Sequence, residues 1–521
     1  MLVGELLDRS TAANPDGEAV VDLSTGLRLS YRTLDATANR LATALRAHGV
    51  HAGDRVGLHL PNVAAYPISF FALQRLGATV VPMNPLYKPE ELAYILGDAG
   101  IAVAITAAPL LPGLYAGAAA AGIALRAVVL GGAQAVAAGA GALPPGAMDW
   151  EAAVASGAPD RLAPDRPIAD ADVATCLYTS GTTGRPKGTM LTHDNLTFDI
   201  QAAVQVFTVT PADRFLCVLP LFHSFAQMAC LMAAMCTGAA LVVLPRFRPT
   251  EVLEAIGREH ITIFPAVPAM YAAMLAAIRD PAAYDLSTLR LAVTGGAPMP
   301  LPVLHAFEND FHVAVLEGNG PTEASPVAYV NPEHGPRKPG SVGLPLPGVE
   351  VRLVDTEDHD VPAGEPGEIL IRGRNVMKGY HNQPELTAET LRGGWLHTGD
   401  LGRRDPDGYI YIVDRIKDLI LVGGLNVYPR EVEEALAQHL AVAEACVVGA
   451  PDDLRGEEVV AFVVARGQRP AAGELVAHCR QLLANYKCPR RIVYLDEMPR
   501  NATGKADKQA LRQQVPPKMD S

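Results

Sequence analysis

One short stretch, residues 178–188 with the sequence YTSGTTGRPKG, constrains this chain more than any other. Its three glycines allow the positive φ values that turn successive backbone N–H groups into one concavity. The threonine and serine hydroxyls add short hydrogen-bond donors, and Lys187 adds a mobile positive charge. An apolar run at 174–178 precedes the glycines, so the loop is predicted to leave a buried strand. These features favour a polyphosphate-binding loop over a flexible surface connection.

The glycine spacing separates this loop from a Walker A loop. A Walker A loop has four residues between its first glycine and a Gly-Lys-Ser/Thr sequence. Here Gly181 and Gly184 lack that gap, and Pro186 directly precedes the lysine. We therefore predict a nucleotide loop of another kind.

Length and periodicity predict a large α/β protein. At 521 residues the chain is too long for one ordinary core, so two or more domains are expected. Strand and helix patterns alternate, as in residues 54–82, which implies mainly parallel sheets covered by helices on both faces. Residues 6–46 indicate a helix, a polar turn and a longer amphipathic helix from about residue 33. Residues 107–167 are rich in Ala, Gly and Pro, which predicts a surface excursion without function.

Composition excludes several classes of protein. A formal net charge of −13 argues against a nucleic-acid surface, and 19% charged against 49% hydrophobic residues argues against a disordered chain. The seven cysteines are odd in number and lack metal-ligand spacing, which indicates reduced core thiols and a cytoplasmic setting. The N-terminal residues show no secretory signal.

A 30-residue segment, 215–244, carries no Asp, Glu, Lys or Arg and is long enough to cross a membrane. Pro220, His223 and Gly238 divide it into a strand, a short apolar helix and a second strand. A helix that is apolar all round fits a protein core, so we predict a buried β-α-β stretch and no transmembrane segment.

Two more strands run into glycine turns that suit close approach of a ring or a phosphate. They are LAVTGGAP at 291–298 and VAVLEGNGPTEAS at 313–325. A carboxylate beside a phosphate loop is unfavourable unless a cation bridges them, so Glu323 is predicted to be a Mg²⁺ ligand. The pair Thr322-Glu323 also fits a helix N-cap, which is compatible with that role.

These motifs are followed by GWLHTGD at 394–400, VDRIKD at 413–418 and PRNATGK at 499–505, and PLFH precedes them at 220–223. In this order they resemble the adenylate-forming superfamily, which includes acyl-CoA synthetases, aryl-CoA ligases, luciferases and nonribosomal adenylation domains. Among its members the chain is most similar to medium- and long-chain fatty acyl-CoA ligases.

The resemblance implies a domain organisation and a set of site residues. A large N-terminal domain with a smaller β subdomain is expected over 1–414, and a small mobile α+β lid over 415–521, with Lys417 as the hinge. The catalytic residues implied are Lys187, His223, Thr322, Glu323 and Lys505. The nucleotide and coenzyme contacts implied are Thr179, Ser180, Gly181, Thr182, Thr183, Gly184, Gly296, Ala297, Pro298, Glu317, Gly318, Asn319, Gly320, Asp400, Ile412, Arg415, Gly423 and Gly424. The acyl-pocket residues implied are Phe222, His223, Phe225, Met228, Gly295 and Gly320.

One position departs from the family pattern. Relatives commonly carry a tyrosine that stacks on adenine where this chain has Asn319, and an asparagine cannot supply an aromatic face. Nucleotide binding is therefore expected to be weaker or differently packed here.

The reaction implied is the ATP- and Mg²⁺-dependent activation of a carboxylic acid to acyl-AMP, followed by attack of a thiol. Coenzyme A is the expected thiol, and the acid is expected to be fatty or bulky and apolar. A ligase that loads the phosphopantetheine arm of an acyl carrier protein shares every ATP motif and stays open, as does a dimer. A non-catalytic nucleotide- or acyl-binding protein would require damaged chemistry, yet the catalytic residues are present.

Overall fold

The computed structural model describes residues 1–137, 142–179, 185–278, 280, 283–452, 454–500 and 506–516. The chain forms two compact units. The first comprises Met1–Val351 and Ile371–His397, and the second comprises Arg352–Leu370 and Thr398–Ser521. The boundary at residue 414 stays a prediction.

The strands, in chain order, are β1 (Glu18–Asp22), β2 (Leu27–Ser30), β3 (Arg55–His59), β4 (Thr79–Pro82), β5 (Val103–Ala107), β6 (Arg126–Leu130), β7 (Met148–Asp149), β8 (Val173–Thr179), β9 (Lys187–Thr192), β10 (Arg214–Cys217), β11 (Ala240–Val243), β12 (Ile263–Ala266), β13 (Leu291–Thr294), β14 (Ala314–Asn319), β15 (Tyr329–Val330), β16 (Leu344–Pro345), β17 (Glu350–Val354), β18 (Gly367–Arg372), β19 (Gly379–Tyr380), β20 (Leu396–Arg404), β21 (Ile410–Arg415), β22 (Ile420–Val422), β23 (Leu425–Val427), β24 (Val442–Asp452), β25 (Gly456–Ala465) and β26 (Arg491–Leu495).

The α-helices are α1 (Gly4–Ala13), α2 (Tyr31–Ala47), α3 (Ala65–Leu76), α4 (Pro89–Ala99), α5 (Leu111–Ala120), α6 (Gly132–Ala137), α7 (Trp150–Ser156), α8 (His193–Val206), α9 (Ser224–Ala226), α10 (Ala233–Thr237), α11 (Pro249–Arg258), α12 (Pro268–Ala277), α13 (Leu301–Phe311), α14 (Pro384–Thr390), α15 (Pro429–Ala437), α16 (Ala472–Leu482) and α17 (Lys508–Gln513). A π-helix at Gln227–Met232 joins α9 to α10.

Two large sheets form the first unit. The first has nine strands in the order β16-β15-β14-β13-β12-β10-β11-β1-β2, and the six from β14 to β1 are parallel. The second has eight strands in the order β19-β9-β8-β4-β3-β5-β6-β7, and the six from β8 to β7 are parallel. The prediction of helix-covered, mainly parallel sheets is confirmed. Because parallel strands share one direction, the loops after β10, β12, β13 and β14 meet at one edge.

The prediction for residues 6–46 is wrong in its middle part. The polar turn is a β-hairpin, in which β2 pairs with β1 and β1 pairs in parallel with β11. Helix α2 begins at Tyr31 because Ser30 caps it, accepting a hydrogen bond from the Thr33 N–H at 3.2 Å. The strands were missed because β1 is stabilised by a partner far away in sequence.

The prediction for residues 107–167 is also wrong. The segment supplies two strands of the eight-stranded sheet, and Ala127, Val128 and Val129 in β6 are fully buried. Trp150 is buried as well, and its indole N–H donates to Ser69 Oγ at 3.2 Å. Low sequence complexity hid these elements, because alanine and valine in a short strand give a weak pattern.

The prediction for residues 215–244 is confirmed, since they form the end of β10, α9, the π-helix, α10 and β11. Within the described part of the chain, no helix combines the length and the apolar character needed to span a bilayer. The cysteine prediction is confirmed as well: all seven are free thiols, and all are buried except the half-buried Cys236.

The second unit contains two smaller sheets. One has four strands in the order β17-β18-β20-β21, and the other has the order β23-β22-β25-β24 with β26 beside β25. Strand β18 lies between β17 and β20. Its residues Ile369, Leu370 and Ile371 are buried.

Two buried histidines predict that acid destabilises the protein. His59 Nδ1 lies 3.1 Å from Thr106 Oγ1, and His193 Nδ1 accepts from the Val3 N–H at 3.2 Å. Burial lowers the pKa of each ring to about 4. The unfolded chain therefore binds protons that the folded chain does not between pH 6.5 and about 4, and stability falls as the pH falls through that window. Across that pH window, each histidine should lower the free energy of unfolding by about 3 kcal/mol.

Thermal unfolding followed from pH 7 to pH 4.5 tests this. In His193→Asn, the asparagine side-chain oxygen still accepts from Val3, so the pH dependence of the melting temperature should weaken. His305→Asn, at an exposed position of α13, is the control and should keep the parental slope. An unchanged slope in His193→Asn would contradict the assignment.

Candidate active site

The two ends of the predicted phosphate loop are held together by an antiparallel strand pair. Strands β8 and β9 pair with Thr179 opposite Lys187, directly where the loop begins and ends. The buried residues Ala174, Cys176 and Leu177 hold β8 in the sheet, as the apolar run predicted. The loop residues Ser180, Gly181, Thr182, Thr183 and Gly184 lie outside the described residues, so their roles stay predictions.

The returning side of the loop is held by helix α4. The Tyr94 hydroxyl donates to the Pro186 carbonyl oxygen at 3.0 Å, and the Arg185 guanidinium carbon lies 5.9 Å from the centre of the Tyr94 ring. Lys187 follows immediately, so its backbone position is set from both sides.

Thr322 and Glu323 lie on a single 3₁₀ turn, Thr322–Ala324, after β14. The Tyr380 hydroxyl donates to Glu323 Oε1 at 2.8 Å, and the Glu323 carbonyl oxygen accepts from the Met377 N–H at 2.8 Å. Lys187 Nζ lies 5.2 Å from the centre of the Tyr380 ring. Tyr380 thus bridges the lysine of the phosphate loop and the carboxylate predicted to bind the metal.

Sequence reasoning missed Tyr380. Burial and the neighbouring Glu323 carboxylate raise its pKa above the ordinary tyrosine range, which keeps the hydroxyl protonated as a donor. The signal in the sequence was the short run KGYHN at 378–382, whose Gly-Tyr pair becomes β19 and pairs with β9. That pairing brings the ring beside Lys187.

The segment after β10 connects His223 with this turn. Ser224 Oγ lies 3.2 Å from Thr322 Oγ1, so the two segments are joined by a hydroxyl pair. His223 Nδ1 accepts from the Phe225 N–H at 3.2 Å. A neutral ring that accepts at Nδ1 carries its proton on Nε2, which makes Nε2 a hydrogen-bond donor suited to a carboxylate.

The two glycine turns of the same sheet edge lie against each other. A side chain at Gly295 would come within 2.9 Å of the Gly318 carbonyl oxygen and 3.6 Å of the Phe225 ring. A side chain at Gly320 would meet the Pro326 carbonyl oxygen at 2.3 Å. Glycine is therefore required at these points by the close approach of backbone to backbone.

The other predicted site residues at this sheet edge either form hydrogen bonds within the protein or differ in how exposed they are. Glu317 is buried and accepts from the Gly340 N–H at 2.7 Å, and the Asn319 carbonyl oxygen accepts from the Ala328 N–H at 3.0 Å. Met228 is buried in the main core, with Phe225 packed at its margin. Phe222 and Gly296 are half-buried, whereas Ala297 and Pro298 are exposed.

The remaining predicted residues lie in the second unit. Asp400 and Arg415 face each other across β20 and β21, with Arg415 Nε 2.9 Å from Asp400 Oδ1. Burial and the Arg415 charge lower the pKa of Lys417, which lies on the 3₁₀ turn Ile416–Asp418. The Ile412 carbonyl oxygen accepts from Arg430 at 2.6 Å.

The glycine pair of the second unit forms a tight hairpin. Gly423 and Gly424 connect β22 to β23 with φ values of 61° and 81°, a geometry that other residues adopt only with strain. Lys505 lies outside the described residues, so its predicted role is untested by these contacts.

Known proteins match along nearly the whole chain. The family model described as AMP-binding enzyme matches residues 7–381, and that of the AMP-binding enzyme C-terminal domain matches residues 431–505. A feruloyl-CoA synthase from Amycolatopsis sp is 39% identical over 94% of this chain and 94% of its own length. A long-chain-fatty-acid–CoA ligase from Bacillus subtilis (strain 168) is 35% identical over 96% and 92%.

Solved structures agree with this. The crystal structure of the anthranilate CoA ligase AuaEII in complex with anthranoyl-AMP has a TM-score of 0.89 and 32% identity, with 99% of this chain and 97% of that chain covered. ATP-bound MatB from Rhodopseudomonas palustris has the same TM-score and identity, with 99% of each chain covered. The resemblance found in the motifs is thereby confirmed. The chain belongs to the AMP-binding enzyme family and is an AMP-forming acyl-CoA ligase.

Proposed function

We propose that this enzyme activates an apolar carboxylic acid with Mg·ATP and transfers the acyl group from acyl-AMP to coenzyme A. The observation that carries the proposal is the connected set Lys187, Tyr380, Glu323, Thr322 and Ser224. It brings a lysine cation, a carboxylate and three hydroxyls together beside the His223 segment.

The donor set fits a magnesium ion. Mg²⁺ in nucleotide sites is bound by one or two carboxylates together with substrate phosphates. Glu323 is half-buried and uses Oε1 for Tyr380, and a carboxylate offers about four acceptor directions in all. When bound, the ion would neutralise phosphate charge; Glu323 would hold it, with Thr322 beside it.

Side chains of this enzyme reduce the repulsion between the acid carboxylate and the α-phosphate. The acid carboxylate must approach the α-phosphate, and both are negative at neutral pH. Lys187 contributes a positive charge on the phosphates, Thr322 contributes a hydroxyl donor, and His223 Nε2–H orients the acid. In this proposal Asp400 and Arg415 bind the ribose, and Lys505 binds the carboxylate and the α-phosphate.

The acid class follows from the pocket residues. Phe222 and Phe225 are half-buried aromatic side chains beside His223, and the backbone of Gly295 lies next to the Phe225 ring. Such a surface accepts an apolar chain or ring and rejects a second charge. The names of the relatives include a long-chain-fatty-acid ligase and a feruloyl-CoA synthase, so both acid shapes are supported.

AMP release measured over a panel of fatty, aryl and polycyclic acids tests the proposal, with CoA and with a holo acyl carrier protein as alternative acceptors. We expect turnover with CoA and an apolar acid, and little with a short dicarboxylic acid. Turnover only with the carrier protein would overturn the assignment of CoA. Release of AMP with no apolar acid would overturn the acid class.

A further inference from the structure

Helix α8 carries two side chains, one turn apart, that contact the segments around Val327 and Asn375. Asn195 and Asp199 are four positions apart, so they lie on one face of the helix. Asn195 Nδ2 donates to the carbonyl oxygens of Arg374 and Val376 at 2.7 and 2.9 Å. The segment 374–380, which leads to Tyr380, is thereby hydrogen-bonded to α8.

Asp199 and Asn375 hold the segment that follows Glu323. The Val327 N–H donates to Asp199 Oδ2 at 3.3 Å. Asn375 Nδ2 donates to the carbonyl oxygens of Ala324 and Val327 at 3.2 and 3.4 Å, and Ser325 Oγ donates to the Asn375 carbonyl oxygen at 2.7 Å. Ser325 has a φ of 68°, a conformation that a residue with a side chain keeps only under such constraint.

The network contains two acceptor atoms that need a hydrogen. Asp199 is 0% exposed, and neither its Oδ1 nor Asn375 Oδ1 has a hydrogen-bond partner among the described residues. The Asn375 side chain lies within hydrogen-bonding reach of Asp199, where its amide N–H lowers the Asp199 pKa, but the same nitrogen also donates to two backbone carbonyl oxygens, and burial outweighs its effect. A proton on Asp199 Oδ1 would turn that unpaired acceptor into a donor, and Asn375 Oδ1 is an unpaired acceptor on the neighbouring side chain.

We propose that Asp199 is a positioning residue: a neutral carboxylic acid that donates to Asn375 and holds residues 324–327, and through them Glu323, in the metal-binding geometry. Burial independently raises the pKa of Asp199 well above its ordinary value. A charged carboxylate at full burial would carry a large desolvation cost, and a neutral one carries much less.

The position of Glu323 depends on this support from two directions. Asn375 donates to the carbonyl oxygen of Ala324, the residue directly after Glu323, and the Met377 N–H donates to the carbonyl oxygen of Glu323 itself. Tyr380, whose hydroxyl donates to the Glu323 carboxylate, lies at the end of the same segment, 374–380. Loss of the support should therefore alter metal use before it alters acid binding. The inference rests on the proposed role of Glu323.

Three matched enzymes test it: the parental chain, Asp199→Asn and Asp199→Leu. Asparagine keeps a donor for Asn375 and an acceptor for Val327, whereas leucine keeps the volume and loses both. We expect Asp199→Leu to need about tenfold more Mg²⁺ for half-maximal pyrophosphate release, with KM for the acid within about twofold. Asp199→Asn should restore most of that loss. An equal loss in both variants would overturn the neutral donor, and an unchanged metal requirement in Asp199→Leu would overturn the positioning role.

Infrared spectroscopy of the unliganded enzyme provides a second readout that does not depend on activity or on how well Asp199→Leu folds. The difference spectrum between the parental chain and Asp199→Asn should contain the carbonyl band of one protonated carboxylic acid at neutral pH. A carboxylate band in its place would overturn the proposal.

Comparing Glu323→Gln with Asp199→Leu distinguishes a failure of the role of Asp199 from a failure of the metal role of Glu323. If Glu323→Gln leaves the Mg²⁺ requirement unchanged, then the metal role of Glu323 fails, while the infrared result for Asp199 still stands by itself. If Glu323→Gln changes the requirement and Asp199→Leu does not, only the inference fails.

Discussion

Replacing Glu323 by glutamine is expected to slow acyl-AMP formation by about a hundredfold. The substitution keeps the shape and the acceptor for the Tyr380 hydroxyl, but it removes the negative charge that would hold the metal ion. Phosphate charge would then be less well neutralised when the acid approaches the α-phosphate. The measurement is acid-dependent pyrophosphate release at several Mg²⁺ concentrations, and the concentration for half-maximal rate should rise.

Two further variants make this result interpretable. Glu385→Gln removes a carboxylate at an exposed position of α14 in the same unit, and it should leave the rate unchanged. Tyr380→Phe removes the hydroxyl that donates to Glu323, and a rate about tenfold lower is expected, since hydrogen bonds to charged groups contribute about 1.5–3 kcal/mol. A parental Mg²⁺ requirement in Glu323→Gln would contradict the metal assignment.

Replacing Lys505 by alanine is expected to lower the rate of acyl-AMP formation by about a hundredfold, about 3 kcal/mol of activation free energy. The reason is the loss of a positive charge shared by the acid carboxylate and the α-phosphate. The second step should proceed at the parental rate when acyl-AMP and CoA are supplied, because the lysine is assigned to the first step alone. Single-turnover measurements of each half-reaction check both statements.

Lys88→Ala is the matched control, because Lys88 is an exposed lysine immediately before α4 and its loss changes the net charge equally. It should leave both half-reactions unchanged. Adenylate formation at the parental rate in Lys505→Ala would refute the assignment of Lys505.

The contrast between Glu323 and Tyr380 shows how far local sequence reasoning reaches. Glu323 was found because it follows a strand and a glycine turn within a few residues, and those neighbours already indicate a phosphate site. Tyr380 lies 57 residues further along the chain, and its contact with Glu323 exists because β19 pairs with β9. Asp199 and Asn375 were missed for the same reason, since an aspartate in an amphipathic helix ordinarily indicates a solvent-facing side.

The errors in the predicted elements have one physical cause. Strand β1 is stabilised by parallel pairing with β11, and β6 by pairing with β5, so neither needs a strong local pattern. In contrast, the capped helix α2 and the buried strand β8 carry their signals in adjacent residues.

By itself the sequence determined the class of fold, the phosphate loop and the order of the family motifs, because glycine φ freedom, hydroxyl donors and apolar periodicity act over a few neighbouring residues. Only the tertiary structure decided which side chains surround Glu323. Strand pairing and burial bring together residues that are 50 to 130 positions apart, and burial also determines which of them keep a proton.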